Sequence, residues 1–206
     1  MAVTIEDIKK LRTMTGAGMK DCKKALAEAD GDINKAVELV RERGLAIAAK
    51  RSDRTTSNGC VLVKNVNGFA AMIALKCETD FVANGADYIE LTQEILDAAI
   101  AAKAQTLEEV NALTLADGTT VAEAVTRRSG VVGEKMELDG YNVLEGENIY
   151  TYDHMGRHTL ATMVQLSGSN EDAGHKIAMQ VAAMKPVALD ESSVSQEVKD
   201  EELRVA

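Results

Sequence analysis

Aromatic residues and regularly spaced cysteines are scarce in this sequence. Its 206 residues include no Trp, two Phe and four Tyr, although 46% are hydrophobic. A core must therefore be built from Ala, Val, Leu, Ile and Met, and a Phe outside an apolar run calls for an explanation. The three cysteines, Cys22, Cys60 and Cys77, are odd in number and irregular in spacing, which argues against a disulfide framework.

The amino-acid sequence also shows no pattern typical of a targeting or membrane-spanning segment. No positively charged start followed by an apolar stretch marks a signal peptide. No apolar run approaches the roughly 18 residues that a membrane-spanning helix requires. We therefore expect a soluble protein of a reducing compartment, the cytoplasm, with no membrane partner.

Positive charge is scarce beyond the N-terminal quarter. The net charge is −10, and since nucleic-acid recognition normally needs a basic face, direct contact with DNA or RNA is not expected. Residues 1–54 contain 12 basic and 9 acidic residues, a net of +3, whereas the remainder contains 11 and 24, a net of −13. This change of sign predicts a separate N-terminal module.

Three short helices and a linker helix are predicted within residues 1–54. Thr4 can cap the first helix and Asp32 the third, and apolar residues recur at helical spacing in all three. Gly44 is a suitable C-terminal stop for the third helix. The chain at 46–54 continues helical and then becomes basic and polar.

Strand patterns begin after this module. Two apolar runs, at 59–64 and 69–77, flank an Asn67-Gly68 turn, which is a strong hairpin signal. A second hairpin is predicted at 147–166. A helical pattern follows each hairpin, and the second of these helices ends before Pro186.

The repeated order of hairpin and helix predicts an α+β fold with two related halves. We place the first half at residues 55–140 and the second at 141–190. An acidic, helical tail is expected at 191–206.

Signatures of covalent chemistry are missing from the sequence. It has no GxxxxGK[ST], GxGxxG, HExxH or GxSxG motif. His154, His158 and His175 lack carboxylates or thiols at ligand spacing, so no metal site is expected. Cys22 and Cys77 lie in apolar patterns, where a buried small hydrophobe is the ordinary interpretation. We expect no catalytic residue, no cofactor and no small-molecule substrate.

Residues 11–26 permit two interpretations. In the first they form only a helix, a turn and a second helix. In the second, Arg12 and Met19 flank the turn and face outward, while Gly16 and Gly18 let the surface of a partner come close. The residues alone favour the first interpretation.

Residues 77–84 also permit two interpretations. The predicted strand ends near Glu78 and the next helix begins near Asp87, so Phe81 lies in a connection beside the charge of Asp80. Connections lie on the surface and often carry function. The alternative, which the residues alone favour, is that Phe81 folds back and seals the sheet against the helix.

Both stretches resemble motifs of the elongation factor Ts family. Residues 11–26 are similar to its N-terminal module, a three-helix unit akin to ubiquitin-associated domains. The Glu-Thr-Asp-Phe-Val-Ala sequence at 78–83 is similar to its exchange motif. Further similarity occurs at 132–134, 154–157 and 175–186, so the resemblance covers essentially the whole chain in order.

The resemblance implies a guanine nucleotide exchange factor that acts on the GTPase elongation factor Tu without covalent chemistry. Phe81 is implied to act as an apolar wedge that disturbs the magnesium and phosphate site of the partner. The residues implied to contact the partner are Thr79, Asp80, Phe81 and Val82 in the exchange motif, Arg12, Gly16, Gly18 and Met19 in the N-terminal module, and Gly133 and His154 in the second half. Relatives are expected to continue beyond Leu203 into a helical hairpin and a closing segment, which this chain is expected to lack.

Two other interpretations stay open. The chain could be an adaptor whose three-helix module binds a peptide or a ubiquitin-like partner, although the paired hairpins argue against it. It could also be an enzyme that uses Cys77 or the hairpin histidines. Binding to a nucleotide-free GTPase separates the exchange interpretation from the adaptor, and the effect of Cys77→Ala on turnover separates it from the enzyme.

Overall fold

The structure combines helices with antiparallel sheets, which confirms the predicted α+β class. It is a computed structural model that describes residues 3–205. The helices are α1 (Ile5–Thr15), α2 (Met19–Glu28), α3 (Ile33–Ala49), α4 (Asp80–Ala83), α5 (Ala86–Ala102), α6 (Leu107–Ala112), α7 (Val121–Val132), α8 (Glu171–Met184) and α9 (Gln196–Val205). The strands are β1 (Asn58–Val66), β2 (Phe69–Cys77), β3 (Met136–Glu145), β4 (Ile149–Asp153) and β5 (Ala161–Gln165). Met1 and Ala2 of the predicted module and Ala206 of the predicted tail lie outside the described residues.

The first three helices enclose a small core of their own. Leu11, Cys22, Ala25 and Leu26 are fully buried in it. Thr4 caps α1 through reciprocal hydrogen bonds with Asp7, and these bonds satisfy amides that a helix start otherwise leaves unpaired. The predicted cap at Thr4 and the burial of Cys22 are therefore confirmed.

Helix α3 does not end at Gly44, where a stop was predicted. It runs on to Ala49, and Gly44 lies inside the helix where α3 packs against α7. A Cβ built on Gly130 of α7 would overlap the backbone of Gly44. The two helices can approach this closely only because Gly130 lacks a side chain, and their crossing is the main contact between the first three helices and the rest of the chain.

The first sheet has the strand order β1-β2-β3 and is antiparallel throughout. Asn67 and Gly68 form the two-residue turn between β1 and β2, with φ angles of 52° and 80°, as this turn chemistry predicts. Helix α5 covers the sheet with Tyr88, Ile95 and Leu96, all almost fully buried. The Tyr88 hydroxyl donates to the carbonyl of Leu75 at 2.8 Å, so this polar group is satisfied inside the core.

Strand β3 was not predicted, and it crosses the boundary placed between residues 140 and 141. Met136 and Leu138 bury their side chains in the core of the first sheet. Gly140 lies opposite a shift in strand register at Ala74/Leu75. Asp139, Gly140 and Asn142 are residue types that are depleted in strands, and they hid the alternation. The division into halves stays a prediction.

The second hairpin, β4 and β5, forms a two-stranded sheet covered by α8. It joins the edge of β1, where the Val61 amide donates to the carbonyl of His158 at 2.7 Å. The Asn65 side chain also donates to the carbonyl of Ile149 at 2.9 Å. Asn170 caps α8, and its Oδ1 accepts from the Ala173 amide at 3.0 Å. No helix in the described part of the chain is both long and apolar enough to cross a bilayer.

Candidate functional site

The connection that follows β2 is a single helical turn, α4. Thr79 caps it, and its Oγ1 accepts a hydrogen bond from the Val82 amide at 3.4 Å. Ala83 is buried in the core between the first sheet and α5, whereas Asp80 is exposed and Phe81 is 87% exposed. The interpretation in which Phe81 folds back to seal the sheet is therefore wrong. The other Phe, Phe69, is 3% exposed in the core.

Glu134 holds the start of α4 from the side. One of its carboxylate oxygens accepts from the Thr79 amide at 3.1 Å, and the other accepts from the Thr79 hydroxyl at 2.7 Å. Glu134 belongs to the 132–134 stretch, for which a resemblance but no role was predicted. Its signal is weak, because it lies 55 residues from Thr79 along the chain.

Glu78 connects three parts of the chain immediately before this turn. Its carboxylate accepts from the Lys135 amide at 2.7 Å and from Arg51 Nη1 at 2.9 Å. The amide of Lys135, and then Arg51, hold the pKa of Glu78 below its ordinary value, because both favour the ionised form. The side chain of Asn58 also donates to the Glu78 carbonyl at 3.0 Å. The end of β2 is thus fixed on several sides.

Gly133 belongs with this turn and not with the second half, where it had been grouped. It ends α7 in a left-handed conformation, with φ 79°, which favours glycine. Its position directly before Glu134 places it beside the start of α4. Its role in binding stays a prediction.

The turn between α1 and α2 faces outward. Gly16 ends α1 with φ 70°, and Gly18 precedes α2 in an extended conformation. Arg12 is exposed and Met19 is 41% exposed, which agrees with the second interpretation of this stretch. Met14, for which no role was predicted, is 54% exposed.

Helix α7 links this glycine turn to the Thr79–Val82 turn. A Cβ built on Gly16 would lie 3.6 Å from Cγ1 of Val131. Two residues after Val131, the helix ends at Gly133 and leads directly into Glu134. The two stretches singled out in the sequence therefore lie against the same helix end.

His154 lies apart, at the tip between β4 and β5. Its Nδ1 is 3.0 Å from the Tyr152 hydroxyl, and it is exposed. Met155, beside it, is 66% exposed. Within residues 3–205, no hydrogen bond or aromatic contact joins His154 to the Thr79–Val82 turn.

The cysteines are poor candidates for covalent chemistry. Cys60 and Cys77 are buried. Burial raises the pKa of Cys60 to about 11 and also raises the pKa of Cys77, so both thiols stay protonated and weakly nucleophilic near neutral pH. In the part of the chain that the structure describes, no three His, Cys, Asp or Glu side chains cluster as a metal site requires.

Comparison with known proteins gives consistent matches. A family model described as Elongation factor TS matches residues 78–206. Curated proteins named Elongation factor Ts match the whole chain, with 61% identity in Bacteroides fragilis and 59% in Parabacteroides distasonis. The chain spans 62% of the length of each of these two relatives. The Elongation factor Ts of Porphyromonas gingivalis is 52% identical, and the chain covers 75% of it.

Proposed function

This chain belongs to the elongation factor Ts family, and from that premise we propose that it is a guanine nucleotide exchange factor for elongation factor Tu. It binds the GTPase and accelerates the release of GDP without forming or breaking a covalent bond. The proposal needs no general base, no nucleophile and no bound cofactor in this chain.

The observation that carries the proposal is the position of Phe81. A large apolar side chain that is 87% exposed, on a short turn whose other side is anchored in the core, is ready to be buried by a partner. Burial of one Phe side chain stabilises a complex by about 1.5–3 kcal/mol. In the proposed mechanism this energy shifts the partner's magnesium and phosphate site away from the conformation that holds GDP.

Asp80 adds a negative charge directly beside the wedge. A magnesium ion is commonly the largest local charge in a phosphate site, so its displacement weakens the attraction for GDP. The coupling is reciprocal, because a factor that weakens GDP binding must itself be bound more weakly, by the same ratio, when GDP is present. Exchange then proceeds through a ternary complex.

The outward-facing residues of the other two regions complete the proposed contact. Arg12, Met19 and the glycine turn contact the nucleotide-binding domain, and His154 contacts another domain of the partner. Contacts at several separated points raise the effective concentration of Phe81 at its target. They also keep the wedge aligned while the partner changes shape.

The test is the release of fluorescent GDP from elongation factor Tu, measured at increasing concentrations of this chain and of its Phe81→Ala variant. The wild type should accelerate release, and the saturating rate of the variant should be about ten- to a hundredfold lower. Leu203→Ala, which truncates an apolar side chain that is 76% exposed on α9, is the matched control and should behave as the wild type.

Two outcomes would overturn the proposal. One is binding of the wild type without acceleration of release, which would support the adaptor interpretation. The other is a Phe81→Ala variant that is folded and as fast as the wild type.

A further inference from the structure

Helix α4 is too short to hold its own shape. It consists of four residues, and helices of one turn are not stable without outside support. Two of its backbone bonds are the Ala83 amide to the Thr79 carbonyl at 3.2 Å and the Asn84 amide to the Asp80 carbonyl at 3.0 Å. The direction in which Phe81 points therefore depends on what fixes the two ends of the turn.

Glu134 fixes the first end by its two hydrogen bonds to Thr79. Because the Thr79 hydroxyl donates its proton to Glu134 at 2.7 Å, its oxygen lone pairs are free to accept from the Val82 amide at 3.4 Å. A single carboxylate thereby sets the rotamer of Thr79 and the cap of α4. Hydrogen bonds to an ionised acceptor are stronger than those between neutral groups.

Glu134 is itself held in place. The Ser129 hydroxyl, buried in α7, donates to the carbonyl of Glu134 at 2.6 Å. The next amide along the chain, that of Lys135, donates to the Glu78 carboxylate at 2.7 Å. Residues on both sides of the β2–α4 junction are thus tied to one short segment that extends from the rigid end of α7.

We propose that Glu134 is a positioning residue of the exchange site, which acts through α4 by keeping Asp80 and Phe81 in the orientation that reaches the partner. This inference rests on the proposed exchange function. Glu134 does its work in the free chain, before any partner binds, by reducing the number of conformations available to the turn.

The first experiment measures fluorescent GDP release by Glu134→Ala, Phe81→Ala and the double variant. Glu134→Ala should lower the saturating rate by about three- to tenfold, the range expected for loss of a hydrogen bond. In the Phe81→Ala background the same substitution should lower the saturating rate by less than about twofold, because the effects of two residues that act through one element are not additive. A merely structural role would reduce the rate by the same factor in both backgrounds, and that result would overturn the proposal.

Two control variants separate the loss of the hydrogen bonds to Thr79 from the loss of a negative charge. Asp139→Ala removes an exposed carboxylate from β3, near the same segment, and should leave the rate unchanged. Thr79→Ser keeps both the amide and the hydroxyl that Glu134 accepts from, so the amide protection of α4 in the free chain should be retained. If Asp139→Ala matches the effect of Glu134→Ala, general charge and not positioning explains the result.

A second readout needs no partner. Amide hydrogen exchange at Val82, Ala83 and Asn84 in the free chain should accelerate about tenfold or more in Glu134→Ala, while amides of β2 keep their protection. If the chain fails to release GDP, the exchange function falls, but this measurement still decides whether Glu134 orders α4. Unchanged protection at these three amides would overturn the positioning role.

Discussion

The two predicted halves each contain a hairpin followed by a helix, but they differ in what they bury. In the first half, α5 covers a three-stranded sheet with large side chains such as Tyr88, Ile95 and Leu96, all almost fully buried. In the second half, α8 covers two strands with Gly174, Ala178 and Ala182. The same order of elements therefore gives a deep core in one half and a thin layer in the other.

This difference assigns different physical properties to the two proposed contacts. The turn that carries Phe81 is attached to the half with the deep core, so its base is rigid. The tip that carries His154 is attached to the half with little buried apolar area, and such regions open at lower free energy. A rigid wedge and a more adaptable docking hairpin suit the two roles proposed above.

The largest expected effect is on stability, when one buried apolar side chain is truncated in each half. Leu75 in β2 is 0% exposed. The substitution Leu75→Ala should lower the free energy of unfolding by about 2–5 kcal/mol, because it leaves a cavity. The side chain of Ile149 in β4 is 7% exposed, and Ile149→Ala should lower the free energy of unfolding by an amount at the low end of that range. Denaturant unfolding curves measure both. An Ile149→Ala variant that loses as much stability as Leu75→Ala would contradict the difference in cores.

The close approach of α8 to its strands gives the next largest effect. A Cβ on Gly174 would overlap the ring of Tyr150, so Gly174→Ala should destabilise the second half by about 1–3 kcal/mol. The rate of amide hydrogen exchange should rise in α8 and β5 and stay unchanged in β2. Gly168→Ala, whose new Cβ would meet no atom within 4 Å, is the control and should leave all of them unchanged. Equal acceleration in β2 would mean that the halves unfold as one unit.

The division between wedge and docking contact should appear in exchange kinetics. His154→Ala should raise the concentration of this chain needed for half-maximal GDP release by about three- to tenfold, as expected for loss of one hydrogen-bonding contact. The saturating rate should change by less than about twofold, unlike that of Phe81→Ala. His175→Ala, which removes the exposed His175 of α8, should change neither value. A fall in the saturating rate for His154→Ala would make its role the same as that of Phe81.

The smallest expected effect concerns pH and the base of the Phe81 turn. The pKa of Glu78 is lowered in the folded protein by the Lys135 amide and by Arg51. Its contribution to stability is therefore present above its ordinary pKa of 4.5 and is lost as the pH falls through its lower folded value. The difference in unfolding free energy between wild type and Glu78→Gln should shrink as the pH falls below 4.5. A difference that stays constant over this range would show that ionisation of Glu78 does not stabilise the turn.

Local signals in the sequence predicted much of the fold. The caps at Thr4 and Asp32, the Asn67-Gly68 turn and the burial of Cys77 all follow from a few neighbouring residues, and the structure confirms them. Residues 78–83 were singled out by resemblance, although the residues alone favoured a buried Phe81, and their role in exchange stays a prediction. Whether an isolated Phe packs inward depends on the space beneath it, which no local pattern reveals.

The sequence by itself determined the class of fold, the first hairpin, the helix starts and the family resemblance, because each depends on residues that are close along the chain. The tertiary structure decided that Gly44 packs against Gly130, that β3 completes the first sheet, and that Glu134 holds Thr79, the cap of the turn bearing Phe81. These contacts join residues that are tens of positions apart. They form only because burial of the apolar faces brings whole helices and strands together.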